Sequence, residues 1–268
     1  MTSVSIFWHR RDLRLHDNAG LSAALQAEHP VLPIFIFDTH ILDKLDDKTD
    51  ARVHFIHQQL CRLSAELAEQ QRTILVLHGD PLDIWKQLLQ RYTVAAVYTN
   101  TDYEPYALER DAAVQALLAA SNIPFHAVKD HVIFEKKEIT KADGNPYTVF
   151  SPYARKWKAT LTPEQLSPYP SHEFLHRLLP GTPFPIPSLS AMGFSASSIS
   201  FPPPSTTQSI ITNYDKTRNF PAIKGTSRLG IHFRFGTISI REKAARARQL
   251  NETFLNELIW RDFYAMIL

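Results

Sequence analysis

VSIFWHRRDLRLHDNAGL, residues 4–21, passes from an apolar run of strand length through a loop crowded with Arg10, Arg11, Asp12 and Arg14 into a helical pattern. Asp17 or Asn18 can cap that helix, because a short polar side chain accepts one of the orphan N–H groups of a first turn. The same order recurs along the first 130 residues. Val31 to Phe37, Ile74 to Leu77, Ala95 to Tyr98 and Phe125 to Val128 read as further strands. Between them Val53, Ile56, Leu60, Leu63 and Leu67 recur at steps of three and four, the spacing of one apolar helix face. Leu82, Trp85 and Leu89 repeat the pattern behind Asp80-Pro81, where Asp caps and Pro suits the first turn. Strands alternating with helices predict an α/β domain with a parallel sheet covered on both faces.

Residues 163–213 hold ten of the 18 prolines and many Ser and Thr. Proline removes backbone donors and blocks helix interiors, so an irregular connector crossing the surface between two domains is expected here. Beyond it, Ser239 and Glu242 have capping-box spacing, and Arg241 to Leu250 favours helix. ETFLNELIWRDFYAMIL, residues 252–268, is apolar almost all round and is expected to be buried. The division expected is an α/β domain over 1–135, a connector over 136–212 and the beginning of a helical domain over 213–268. The apolar end suggests the first part of a larger two-domain protein.

With 268 residues, 44% hydrophobic and 21% charged, the chain has the composition of a folded protein with a substantial core. No apolar run of about 18 residues offers a helical membrane span. Cys61 is the only cysteine, so no internal disulfide or cysteine-based zinc cage can form, and a reducing, cytoplasmic setting is expected. Twelve histidines show no ligand spacing, and no metal site is expected. Charge is uneven: residues 1–150 hold 15 Lys and Arg against 20 Asp and Glu, and residues 151–268 hold 14 against 7. A basic second part suits an anionic partner, or simply a domain of different surface charge. GxGxxG, GxxxxGK[ST], HExxH and GxSxG are all missing.

Three constellations remain. The loop after the first strand lies where open α/β sheets bind ligands, although Asp12 held among arginines would serve structure equally. In TNTDYEPYALERD, residues 99–111, Asp102 and Glu104 precede a helix that begins at Pro105, and either one caps it or the pair faces a ligand. Gly225-Thr226-Ser227-Arg228 offers backbone donors, two hydroxyls and a guanidinium ahead of a helix, suiting a phosphate or capping. Glu257, Trp260 and Arg261 follow at i, i+3, i+4, bringing a carboxylate, a π-face and a cation to one helix face.

FWHRRDLRLHDNAGL, residues 7–21, resembles the opening signature of DNA photolyases and cryptochromes. YDKTRNFPAIKGTSRLGIHFRFGTISIRE, residues 214–242, is similar to that family's flavin-binding stretch, and FLNELIWRDFY, residues 254–264, to its active-site helix. The match is colinear over essentially the whole chain. It implies a Rossmann-like antenna domain followed by an all-helical domain that holds FAD. The implied activity is a light-driven carbon–carbon lyase splitting cyclobutane pyrimidine dimers in UV-damaged DNA, or alternatively a blue-light photoreceptor or an inactive fragment of either.

By resemblance, Tyr214 lines the flavin site, and Thr226, Ser227, Arg228, Leu229 and Gly230 hold its phosphates, with Gly230 where a serine is often found. Phe254, at a position that is tryptophan in some members, packs near flavin. Glu257 hydrogen-bonds the dimer and Trp260 packs against it. Arg218 and Arg261 face flavin or DNA phosphates. Glu104 matches the glutamate that holds an antenna chromophore, methenyltetrahydrofolate in some members and a deazaflavin or flavin in others. The resemblance further implies a monomer at full length.

Overall fold

The computed structural model describes residues 3–268. Five strands, β1 (Val4–His9), β2 (Val31–Asp38), β3 (Leu75–Gly79), β4 (Val94–Asn100) and β5 (Phe125–Val128), form one parallel sheet in the order β3-β2-β1-β4-β5. Around it lie α1 (Ala19–Gln26), α2 (Thr39–Leu42), α3 (Ala51–Ala68), α4 (Pro81–Arg91) and α5 (Pro105–Ala119). The helical part comprises α6 (Phe150–Thr160), α7 (Gln208–Thr212), α8 (Tyr214–Thr217), α9 (Gly230–Phe235), α10 (Ile240–Leu250) and α11 (Glu252–Ile267).

Central β1 pairs with β2 through Ser5↔Val31 and with β4 through Ser5↔Ala96. Successive side chains leave opposite faces of a strand, so alternate residues enter different cores. Phe7, Val31, Phe35 and Phe37 pack with α1 and α3, whereas Ile6, Trp8, Leu32, Ile34 and Ile36 pack with α4 and α5. Burial on both faces explains why these strands read as nearly continuous apolar runs. Asn18 caps α1 by accepting from Leu21 N at 3.1 Å, and Asp80 caps α4 by accepting from Asp83 N at 3.0 Å. Asp17 does not cap; its backbone is left-handed and its carboxylate points elsewhere.

Three expectations need correction. β3 begins at Leu75 and runs on to Gly79, and β4 extends to Asn100, because pairing with a neighbour carries a strand past the end of its apolar run. The proline-rich stretch is irregular, with three 3-10 turns, yet it is anchored on the sheet: Leu175, Leu178, Met192 and Phe194 enter the α1/α3 core. Leu179 N also donates to Val31 O at 2.7 Å. The segment 136–212 further contains α6, whose Tyr153 and Trp157 belong to the helical core with α10 and α11. Finally, α11 is buried along one flank only. Tyr264 and Ile267 are more than half exposed.

The β1–α1 loop joins the two parts. Asp130, beyond β5, accepts from Arg14 Nη2 at 2.7 and 2.8 Å, from Arg241 Nη2 at 2.8 Å and from Ala19 N at 3.0 Å. Arg241 Nε also donates to Asp17 Oδ1 at 2.8 Å, and Ser239 donates to the same carboxylate. All four charged side chains are at least nine-tenths buried. Burial works against the Asp130 charge, but Arg14 and Arg241 outweigh it and hold the carboxyl below its ordinary range.

Gly236 closes α9 in the left-handed conformation at φ 60°, pressed against the same loop. A Cβ there would stand 2.7 Å from Asp12 Cα and would also meet Arg11 O. Gly236→Ala is therefore expected to destabilise by more than about 2 kcal/mol, combining a strained φ with a backbone clash. Urea unfolding checks this, and a loss under about 0.5 kcal/mol, the range of neutral surface changes, would refute it.

Candidate functional site

With β1 between β2 and β4, chain order reverses beside β1, and the crevice at the carboxyl ends of β1 and β4 is the topological switch point where such sheets bind ligands. Here side chains fill it. Asn100 Nδ2 donates to Asp12 Oδ2 at 2.5 Å and to Asn18 Oδ1 at 2.8 Å, while Arg10 bonds Asn100 O and Asp111. The remaining cavity is about 10 Å³, room for a single water. Asp12 is thus held by Asn100, the Arg10 main-chain N–H and His9, not by arginine side chains.

Glu104 stands at the rim of this crevice. It is the N-cap residue of α5, yet its side chain makes no capping bond, and neither does Asp102, which accepts from Tyr103 N at 2.8 Å and Glu104 N at 3.3 Å ahead of the helix. The Glu104 carboxylate instead accepts from Arg11 Nη1 at 3.0 Å and from Arg234 Nη1 at 2.8 Å. Partial burial raises its pKa, but the Arg234 hydrogen bond and the Arg11 charge prevail, and the group stays ionised below the usual carboxylate range. A carboxylate shared by arginines from α9 and the β1 loop is a polar anchor between the two parts of the molecule.

The second cluster lies where the arm 213–229 folds against α11. Tyr214 packs edge-on against Phe254 with ring centroids 5.1 Å apart, and Arg218 covers Tyr214 at 5.6 Å while pairing with Glu257. Gly225 is buried because Thr217 leaves no room for a Cβ, and Thr217 Oγ1 donates to Gly225 O at 3.1 Å. Beyond that tight closure Thr226 and Arg228 are exposed, and Ser227 is half-buried with its Oγ accepting from Leu229 N at 3.4 Å. Neither hydroxyl caps α9, whose N-cap is Leu229, and Arg228 is exposed in a left-handed conformation. Nothing lies within 4 Å of a Cβ built on Gly230, so a serine would fit there. The Thr226 hydroxyl, the Arg228 guanidinium and the open backbone at Gly230 form a donor set that fits a phosphate or pyrophosphate.

The three α11 residues do not converge on one point. Glu257 turns to the arm. Trp260 stacks on Phe150 of α6, with centroids 3.7 Å apart and planes 6° from parallel. Arg261 donates to the main-chain oxygens of His131 and Phe233, the latter at 3.1 Å, and so ties α11 to the β5 and α9 ends. Next to it Asp262 is fully buried; its Oδ2 accepts from Ile133 N at 3.1 Å, Phe134 N at 3.2 Å and Trp157 Nε1 at 3.0 Å. Spacing alone does not mark Asp130, Arg241 or Asp262 as partners in buried charge clusters. Asp262 falls on the apolar i, i+3, i+4, i+7 row of α11 with Ile259, Phe263 and Met266, which was the available signal for it; no local signal marks Asp130.

A family model for DNA photolyase matches residues 5–172. The chain is 34% identical to the deoxyribodipyrimidine photo-lyase of Synechococcus sp. (strain PCC 6301), a match over 98% of this chain and 60% of that protein. It is 32% identical to an uncharacterized 31.6 kDa protein of Synechococcus sp. (strain PCC 6716), over 97% of this chain and 99% of that one. Among solved structures, the class III photolyase of Agrobacterium tumefaciens superposes with a TM-score of 0.79 at 23% identity, covering 100% of this chain and 59% of that one. An archaeal photolyase from Sulfolobus tokodaii with two FAD molecules superposes at 0.74 and 25% identity, over 98% and 59%. The chain thus spans about 60% of the length of the photo-lyase relative.

Proposed function

This chain belongs to the DNA photolyase family, and from that membership we propose that it supplies the antenna domain and the first wall of the flavin site of a light-driven deoxyribodipyrimidine photo-lyase. The observation that carries the reading is the arm folded on α11, which packs Tyr214 on Phe254, pairs Arg218 with Glu257 and leads, through the Thr217–Gly225 contact, to the exposed Thr226 and Arg228. When bound, reduced FAD supplies the photoexcited electron that opens the cyclobutane ring of a pyrimidine dimer, and receives it back.

This chain's residues bind and orient. Thr226, Ser227, Arg228 and the main chain at Leu229 and Gly230 hold the phosphates, and Tyr214 and Phe254 form an apolar wall beside them. Glu257 accepts hydrogen bonds from a lesion base extruded from the duplex, which requires Arg218 to exchange its carboxylate partner for a DNA phosphate. Trp260, stacked on Phe150 and on Tyr264, is a fixed aromatic ring for the lesion to pack against. Arg261 keeps α11 in place through its two carbonyl contacts. An antenna chromophore, methenyltetrahydrofolate or a flavin or deazaflavin, belongs at the rim beside Glu104, since the switch-point crevice is filled. No helix among the described residues is long and apolar enough to cross a membrane.

The test is FAD retention on gel filtration followed by irradiation with an oligonucleotide carrying a thymine dimer. Flavin is expected to co-elute and dimers to be split. Glu257→Gln is expected to slow repair by about tenfold or more while sparing flavin, because a charge-assisted acceptor is worth roughly 1.5–3 kcal/mol. Retained flavin without repair would select the photoreceptor reading. A folded chain that neither holds flavin nor repairs refutes both.

A further inference from the structure

Trp260 carries an aromatic ring on each face. Phe150, the first residue of α6, lies on one side with centroids 3.7 Å apart and planes 6° from parallel. Tyr264 lies against the indole with centroids 5.4 Å apart, tilted by 25°. Both rings also meet Phe263, at 5.9 and 6.0 Å, but among the described residues they make no ring contact with each other. Two rings over the same face of one indole would touch, so Phe150 and Tyr264 stand on opposite faces.

The two partners are held differently. Phe150 is half-buried and packs against the helical core, where Phe263, itself 4% exposed, meets it edge-on. Tyr264 is 59% exposed on the last turn of α11. Its ring reaches Trp260 because helical side chains lean toward the N-terminus, over the residue one turn back. Glu257, Trp260 and Tyr264 follow at i, i+3 and i+7, so the covering ring belongs to the same helix face as the Glu257 carboxylate. Neither face of the indole is open. A base can stack on it only where one ring gives way, and Tyr264 is the one that can leave without unpacking the core.

The magnitudes favour that exchange. An aromatic pair contributes about two- to tenfold to an equilibrium constant, whereas a nucleic-acid base stacked on an aromatic side chain contributes roughly fivefold to a hundredfold. A base still paired inside the duplex does not reach the indole and cannot drive the exchange; an extruded one does. We propose that Tyr264 is a placeholder for the lesion: in the free protein its ring covers the indole face on which an extruded pyrimidine dimer stacks, and the dimer displaces it. The inference rests on the lesion reading of Trp260 given above.

The test measures, in the dark, the Kd of the purified chain for a duplex carrying one thymine dimer and for the same duplex undamaged. Tyr264→Ala is expected to bind the dimer duplex about two- to tenfold more tightly than wild type, because no ring has to be displaced, and the undamaged duplex equally well. Tyr264→Phe, which keeps the ring, is expected to bind both as wild type does. In a Trp260→Leu background, with no indole to cover, Tyr264→Ala is expected to change nothing. Weaker dimer binding by Tyr264→Ala, which makes the ring a contact that the lesion keeps, overturns the proposal; so does unchanged binding, or a gain that persists beside Trp260→Leu. A wild-type chain that binds both duplexes alike refutes the lesion reading itself, and this inference with it. A wild-type preference for the dimer with no gain in Tyr264→Ala overturns the placeholder alone.

Discussion

Asp130→Ala is expected to lower unfolding stability by about 3–5 kcal/mol, the range found when one partner of a buried ion pair is removed. The loss does not come from the attraction alone, which desolvation of both partners largely offsets. It comes from what remains: Arg14 and Arg241 both donate to Asp130 from positions no more than about a twentieth exposed, so truncation leaves two buried guanidinium groups short of a counter-charge. Asp17 still meets Arg241, but Arg14 retains only the main-chain oxygens of Asp17 and Gly236. Because a domain is stable by only about 5–15 kcal/mol, the variant should unfold at a visibly lower urea concentration. Asp130→Asn, which keeps an acceptor, should lose less. A truncation costing under about 1 kcal/mol would show that Asp130 is not what joins the β1 loop to α10.

Asp262 provides the second large effect, and it depends on pH. Burial pushes its carboxyl up to about 6, against the pull of Trp157 Nε1, the Arg261 charge and the two main-chain N–H groups. In the unfolded chain an aspartate titrates near 3.9. Between these values the native state holds a proton that the unfolded state has released, so the contribution is full below about pH 4 and is lost as pH rises through about 6. The total is about 2–3 kcal/mol, from about 1.36 kcal/mol per unit.

Asp262→Asn keeps an acceptor for the same donors and cannot ionise. Its stability relative to wild type should therefore rise by that amount between pH 4 and pH 7. Asp262→Ala, by contrast, should cost at least about 3 kcal/mol at any pH, because Ile133 N, Phe134 N and Trp157 Nε1 all lose their acceptor. Parallel urea titrations at several pH values measure both. A pH-independent difference between wild type and Asp262→Asn would exclude a proton on Asp262 in this range.

These two carboxylates also mark where legibility stopped. The five strands, the stripe of α3 and the caps at Asp80 and Ser239 could all be read directly. Each depends on contacts within about four residues or on a periodicity repeated along one element. Asp17 and Asn18 were indistinguishable as caps at that level, and only packing assigned Asn18 to α1 and Asp17 to Arg241, 224 residues away. Likewise i, i+3, i+4 spacing placed Glu257, Trp260 and Arg261 near one another, yet each took a different partner: Arg218, Phe150 and the carbonyls of His131 and Phe233. The proline-rich stretch was correctly irregular in backbone, because proline acts locally, but its docking through Leu175 and Phe194 depended on a sheet built by other residues.

The sequence by itself therefore determined the strands and helices of the α/β part and the family, since propensity, capping and motif act over a few residues. Tertiary structure alone decided which charges are buried together and that the switch-point crevice is filled. Those outcomes depend on side chains brought together from distant positions, where desolvation and Coulomb attraction act through space and not along the chain.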